Sequence, residues 1–238
     1  MIFEGLPVVL IAIPHKRYDA VKVEREMTGR IFPLSIPLWS ETELAYIPKE
    51  GFKQLNVKPD GKLIDVFSKE AIGSPHLIQE FCRKICKESE ILDDSRNWEI
   101  ATDGNEIELI LSSVAESIGR PMFDKLARGP RQRSDRIPRS LKSGGVTDIY
   151  GLILAALAHM KPGLETVEYE QLRTAIRDVG KGKLPQANEI TRVLGHMSTI
   201  AASDESSTPV IEYEEEEQLL HITDPFFAFF LRHGDTKV

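Results

Sequence analysis

The sequence lacks the segments that identify most nucleotide hydrolases and most hydrolytic enzymes. It contains no Gly-x-x-x-x-Gly-Lys-Ser/Thr loop, which would aim backbone N–H groups and a lysine at phosphates. No buried strand ends in paired acids that could hold magnesium, and no Ser-His-Asp, Cys-His or paired-carboxylate arrangement stands out. The chain is therefore not expected to hydrolyse ATP on its own, and nothing in it indicates hydrolase chemistry.

Long apolar runs and cysteines are also scarce. The longest apolar run, Val8 to Ile13, is too short to span a bilayer, and no secretory signal opens the chain. Cys82 and Cys86 are four residues apart, but no further ligand lies nearby, so packing is favoured over metal binding. We expect a cytoplasmic protein with no metal site, no disulfide and no membrane contact.

Charge is plentiful but unevenly spread. The net charge of the 238 residues is −7, whereas the segment from Lys125 to Lys142 carries +6, opposed only by Asp135. Its cations are Lys125, Arg128, Arg131, Arg133, Arg136, Arg139 and Lys142. We interpret this basic connector as an exposed helix-to-loop segment that binds nucleic acid phosphates, an acidic partner or the acidic body of the protein itself. No aromatic residues alternate with the arginines, which argues against stacking on single strands.

The hydrophobic pattern predicts a mostly α fold with a small β component (α+β). In the first half it predicts about four helices between residues 40 and 88, beginning with the Ser40–Glu43 capping box. A further amphipathic helix, Glu106 to Ile118, should end at Gly119 and Pro121. The apolar run from Val8 to Ile13 predicts a strand buried on both faces.

The C-terminal part has the order of a winged helix, with three helices followed by a β-hairpin wing. The predicted elements are helices 148–160, 169–179 and 186–201, strands 210–213 and 218–222, and a final aromatic helix 226–232. On the third helix, Asn188, Arg192 and His196 share the exposed face, and Lys181 and Lys183 lie just before it. These side chains are placed to contact DNA, although the acidic wing tip, 214–217, would repel its backbone and favours a protein partner instead.

Several short segments together resemble the C-terminal portion of an AAA+/STAND-type ATPase of the origin-recognition or archaeal-bacterial group. Val8 to His15 resembles the strand that ends at sensor 1, and Glu24 to Phe32 with Ile36 to Ser40 resembles the arginine-finger region. Ile72 to Ile78 resembles the start of the sensor 2 helix, and His221 to Arg232 resembles the end of the following winged helix.

The resemblance implies four segments. Residues 1–38 would be a remnant of the nucleotide-binding core, 39–90 a helical lid, 91–145 an amphipathic helix with the basic connector, and 146–238 the winged-helix domain. It also implies that Arg30 is an arginine finger and that His15 and His76 sense nucleotide. ATP or ADP with magnesium would be held only together with a P-loop-bearing segment or subunit, because this chain lacks that loop.

The resemblance thus predicts a fragment or split subunit of such an ATPase, in which a nucleotide-sensing lid is coupled to a winged helix. This chain departs from the pattern at His76, where an arginine would offer the γ-phosphate a fixed charge. The alternative is a winged-helix adaptor with no nucleotide role, which binds DNA or another protein.

Overall fold

The computed structural model describes residues 9, 11, 32, 34–91, 93, 97–100, 103–130, 136–203 and 208–237. The chain divides into two compact units, Met1–Leu38 and Trp39–Val238. All the helices and strands described lie in the second unit, which is mostly helical with small sheets, so the predicted fold class is confirmed. The predicted strand from Val8 to Ile13 lies outside the described residues except at Val9 and Ile11.

The first part of the unit is a helical layer with one small parallel sheet. Its elements are α1 (Glu41–Leu44), α2 (Tyr46–Gln54), β1 (Val57–Pro59), α3 (Gly61–Glu70), α4 (Pro75–Glu88), β2 (Trp98–Ile100) and α5 (Gly104–Arg128). The predicted capping box is present, because Ser40 Oγ accepts from Glu43 N–H while the Glu43 carboxylate accepts from Ser40 N–H. The β1–β2 pair is an addition to the sequence prediction, which treats residues 89–102 as irregular.

Helix α5 corrects a second expectation. The sequence predicts that it ends at Gly119 and Pro121, but it continues to Arg128. The reason is tertiary packing: a Cβ at residue 119 would lie 2.7 Å from Phe230 Cγ, so glycine allows direct contact there. Beyond the proline, Phe123 is fully buried, and such burial offsets the hydrogen bond that Pro121 cannot donate.

The second part contains three helices, two three-stranded antiparallel sheets and a terminal helix. Its elements are β3 (Arg139–Leu141), β4 (Val146–Thr147), α6 (Ile149–Met160), β5 (Thr166–Glu168), α7 (Tyr169–Val179), β6 (Gly180–Lys181), α8 (Ala187–Ala201), β7 (Ile211–Glu214), β8 (Leu219–Ile222) and α9 (Pro225–His233). The predicted helices and hairpin of this part are therefore confirmed, whereas the sheet that β3 forms with β4 and β6 is not foreseen in the sequence.

The hairpin strands do not stand alone. Strand β8 pairs on one side with β7 and on the other with β5, the strand between α6 and α7. The resulting order is β5-β8-β7, with Val167 opposite Leu220 in the middle of the outer pair. Because β5 lies between α6 and α7, its pairing with β8 places the hairpin against helices α6, α7 and α8.

Helix α9 joins the first and second parts of the unit. It begins at the predicted cap, where Asp224 accepts a 2.7 Å hydrogen bond from Phe227 N–H. Phe229 packs against Phe81 of α4 with ring centroids 4.9 Å apart, and Phe230 packs against Phe123 of α5 at the same separation. One continuous buried cluster consequently runs from α1 to α9.

Candidate nucleic-acid interface

One face of α8 is exposed, as its sequence pattern predicts. Ile190, Val193 and Met197 point into the core, whereas Asn188, Arg192 and His196 are exposed. The spacing of four residues aligns the last three along one side of the helix. The helix therefore presents an amide, a guanidinium and an imidazole in a row.

A groove lies along this row of side chains. It consists of two adjoining cavities of about 420 and 380 Å³ that share Ile137, Arg139, Glu189 and Arg192 in their walls. Lys183, Gln186 and Asn188 are the further lining residues of the first cavity, and Arg136, Tyr150 and His196 are among those of the second. The structure thus brings residues of the basic connector next to the predicted recognition helix, although the two are about 50 residues apart in the sequence.

Arg136 and Arg139 face inward, contrary to the expectation of an exposed connector. Arg139 is only 4% exposed; its guanidinium donates to the Lys183 carbonyl at 2.8 Å and to Glu189 Oε1 at 3.1 Å. Arg136 donates to Asp148 Oδ2 at 2.5 Å and stacks over the Tyr150 ring, with Cζ 4.3 Å from the centroid. The charges of both arginines are therefore compensated by acids of the same domain.

Asp148 has two roles that the sequence does not reveal together. It caps α6, where Oδ1 accepts hydrogen bonds from Tyr150 N–H and Gly151 N–H at 2.9 and 3.1 Å. Its other oxygen holds Arg136. The connector is thereby tied to the start of a buried helix.

Tyr150 and His196 link α6 to the exposed face of α8. The Tyr150 hydroxyl and His196 Nδ1 lie 2.9 Å apart and share a hydrogen bond. Burial of the ring is the main cause that raises the pKa of the Tyr150 hydroxyl above its usual value, so the neutral phenol persists at physiological pH. The hydrogen bond holds the orientation of the imidazole at the groove.

Two cations supply the surplus charge of the groove. Within the described part of the chain, neither Lys183 nor Arg192 forms an ion pair, and both are exposed. With the Arg136–Asp148 and Arg139–Glu189 pairs each summing to zero, the groove walls carry a net charge of +2. A groove of this kind attracts anions.

The remaining predicted basic residues are dispersed. Lys125 donates to Ser203 Oγ at 2.8 Å, and Lys142 donates to the Arg177 carbonyl at 2.7 Å. Lys181 belongs to β6 and Arg128 to the last turn of α5. The walls of the two cavities contain none of these four residues. Arg131 and Arg133 lie outside the described residues.

The acidic wing tip is attached to the far end of α8. Tyr213 N–H donates to Ser198 Oγ at 3.2 Å, which places β7 beside the last turns of the helix. Residues 215–217 are exposed in the turn that follows. The strand that leads into the acidic turn is thus bonded to α8 two residues beyond His196, the last groove residue of the helix.

The predicted nucleotide-sensing residues are only partly described. Arg30 and His15 lie outside the described residues. His76 lies in the first turn of α4, with 68% of its side chain exposed, 3.9 Å from Glu80 Oε1 and edge-on to the Phe226 ring. The described residues contain no group of three or more potential metal ligands. Cys82 is largely buried, and that burial raises the pKa of its thiol to about 12.

Comparisons with known proteins give no family for this chain. No family model, no curated protein and no solved structure matches it. Among the helices that the structure describes, none is both long and apolar enough to cross a membrane.

Proposed function

We propose that residues 146–238 form a winged helix that binds double-stranded nucleic acid, with α8 as the helix that enters the major groove. The arrangement that supports this is three helices, a strand between the first two, and a hairpin after the third. The observation that carries the proposal is the groove along α8, in which Arg192 and Lys183 remain uncompensated while Arg136 and Arg139 are neutralised.

The side chains on α8 suit this task chemically. Arginine donates two parallel hydrogen bonds to guanine, and asparagine pairs similarly with adenine in the major groove. Lys183, just before the helix, is suited to a phosphate, because phosphate contacts fix a protein's position on the duplex without reading its sequence. Asn188 and Arg192 are one helical turn apart and can reach neighbouring base pairs.

Strand β7, which leads into the acidic turn, is bonded to α8 beyond Arg192. Ser198, to which the wing is bonded, is six residues beyond Arg192, which is about 9 Å along a helix axis. The Debye length at physiological salt is about 8 Å, so charges farther apart than this are largely screened from each other. The point at which β7 is bonded to α8 is therefore about one Debye length beyond Arg192.

A titration of a fluorescent DNA duplex with the full chain, followed by anisotropy at several salt concentrations, tests the proposal. We expect log Kd to depend linearly on log salt, and Lys183→Ala to lower the slope by about 0.9, since it removes a phosphate contact. Arg192→Ala should weaken binding mainly to duplexes that offer guanine at the contacted position. Lys53→Ala is the matched control, because Lys53 is exposed on α2, away from the groove, and forms an ion pair with Glu50. Binding that is absent at 50 mM salt rejects the nucleic-acid proposal and favours an acidic protein partner.

The second candidate is the nucleotide-dependent role implied by the AAA+/STAND resemblance, with a P-loop-bearing partner that supplies ATP or ADP and magnesium. The exposure of His76 in the first turn of α4 favours it, since the N–H groups of a helix start attract anions. ATP turnover by the complex with a co-purified P-loop protein should fall in the His76→Ala and Arg30→Ala variants. Unchanged turnover in both variants counts against this role.

A further inference from the structure

Arg139 is unusual among the groove residues because it is buried, charged and outside the apolar core. One terminal nitrogen donates to the Lys183 carbonyl and the other to Glu189 Oε1, at 2.8 and 3.1 Å. Its Nε is buried and has no hydrogen-bond partner among the residues described. A buried guanidinium with two directed bonds is costly to place and is sensitive to any change in geometry.

The two acceptors of Arg139 belong to one short stretch of chain, from the end of β6 to the first turn of α8. Glu189 is the third residue of α8, and its second oxygen accepts from Gln186 N–H at 2.7 Å. Strand β3, which carries Arg139, also pairs with β6 through Ser140 and Lys181. Arg139 is thus the side-chain link between the basic connector and the segment that carries Lys183 and Asn188.

We propose that Arg139 is a positioning residue for nucleic-acid binding. It fixes the 182–189 segment, and thereby Lys183 and Asn188, without contacting the nucleic acid itself. This inference rests on the proposed function, and it assigns to Arg139 a role different from the phosphate contact that its charge alone suggests.

Burial and bonding both separate Arg139 from the contact residues. It is 4% exposed, whereas Arg192 is exposed and free of ion pairs within the described structure. The two terminal nitrogens of Arg139 are already used, and its buried Nε is out of reach of a phosphate. A lysine cannot replace it, because one ammonium does not reproduce the planar fork that meets two acceptors.

Three variants separate positioning from charge. Glu189→Gln keeps an acceptor for Arg139 and removes one negative charge. Arg139→Met removes the hydrogen bonds to Lys183 and Glu189 and leaves the Glu189 charge unpaired. The double variant, Arg139→Met with Glu189→Gln, removes the same hydrogen bonds but leaves no unpaired charge. If Arg139 only neutralised Glu189, the double variant would bind duplex DNA as the wild type does.

We expect the Arg139→Met single variant and the double variant each to bind the duplex about tenfold or more weakly than wild type, the factor expected for a lost hydrogen bond to a charged group. The salt slope should stay at the wild-type value in both, whereas Lys183→Ala, which removes the proposed phosphate contact, should lower it by about 0.9. Glu189→Gln should weaken binding less than Arg139→Met, because the glutamine oxygen still accepts a hydrogen bond from Arg139. Amide hydrogen exchange should accelerate in residues 182–189 of the Arg139→Met variants and remain unchanged in α4 and α5.

Several outcomes overturn the inference. A fall in the salt slope for Arg139→Met would show that Arg139 contacts a phosphate. Wild-type affinity of the double variant would show that Arg139 only neutralises the charge of Glu189. Accelerated exchange throughout the chain makes it a general stabilising residue. If Arg139→Met does not fold, Arg139→Lys is used, for which the same weakening at unchanged slope is expected.

Failure of the proposed function is distinguishable from failure of this inference. If wild-type chain does not bind the duplex at any salt concentration, the nucleic-acid proposal fails. Exchange accelerated only in residues 182–189 of Arg139→Met would then still support a link between Arg139 and this segment, and unaltered exchange there would reject it.

Discussion

Substitution of Phe230 by alanine tests whether α9 holds the two parts of the folded unit together. The Phe230 side chain is fully buried, its ring centroid lies 4.9 Å from that of Phe123, and it fills the space left by Gly119. Truncation of a buried phenylalanine costs about 3–5 kcal/mol, of which the aromatic pair accounts for about 0.5–1.5 kcal/mol. This is a large fraction of the 5–15 kcal/mol by which a typical domain is stable.

The assay is urea unfolding followed by far-ultraviolet circular dichroism, with wild type and variant compared at equal protein concentration. We expect a lower midpoint and one cooperative transition, because the helices on both sides of α9 share one buried cluster. Phe226→Ala is the matched control in the same helix. Phe226 is half-buried at the edge of the core and meets the His76 ring edge-on, so its loss should cost less than the roughly 3–5 kcal/mol expected for a fully buried phenylalanine.

Two results would refute this reasoning. The first is a free energy of unfolding for Phe230→Ala within about 1 kcal/mol of wild type, which would mean that the site collapses around the missing ring. The second is a wild-type protein with two separate unfolding transitions, which would mean that the first and second parts fold independently and that α9 does not couple them.

Two further predictions concern residues of other helices that contact α9. Gly119→Ala should destabilise the protein by about 1–3 kcal/mol in thermal or urea unfolding, because the alanine Cβ would overlap Phe230. This cost should exceed the gain from the better helix propensity of alanine, so a stabilised variant would contradict the packing argument. Glu70→Gln should cost about 1.5–3 kcal/mol at pH 7, since Glu70 accepts a 2.9 Å hydrogen bond from His233. That hydrogen bond lowers the pKa of Glu70 below its ordinary value of 4.5. The stability that Glu70 contributes is therefore present above pH 4.5 and is lost as the pH falls through the lowered pKa. A difference in unfolding free energy between wild type and Glu70→Gln that does not shrink in acid would exclude this pairing.

The local signals in the sequence predict the secondary structure well. Ser74 and Pro75 start α4, Asp224 and Pro225 start α9, and the alternation around residues 211–222 gives the hairpin. Each of these depends on interactions between residues close in the sequence, which a sequence pattern records directly. The amphipathic pattern of α8 likewise predicts its exposed row of Asn188, Arg192 and His196.

The errors arise where tertiary contacts override local preference. Gly119 and Pro121 are strong signals for a helix end, and only the contact with Phe230 explains why α5 passes through them. The short strands β1, β2, β3 and β6 have too few residues to show a period, and their partners are distant in the chain. The acids that hold Arg136 and Arg139 cannot be identified from spacing for the same reason.

The candidate interface shows why a count of charges differs from a charged surface. The sequence concentrates seven cations between residues 125 and 142, and this suggests that the connector itself binds an anion. In the folded chain, Arg136 and Arg139 are neutralised by acids 12 and 50 residues away, and the cations that remain free at the groove, Lys183 and Arg192, come from outside the connector. The basic connector therefore contributes part of the groove wall. The net attraction of the groove for an anion comes from Lys183, just before α8, and from Arg192 within it. This division predicts that removal of Lys183 weakens binding through the loss of a phosphate contact, whereas removal of Arg139 weakens it through geometry. The salt dependence of binding by the two variants measures that difference.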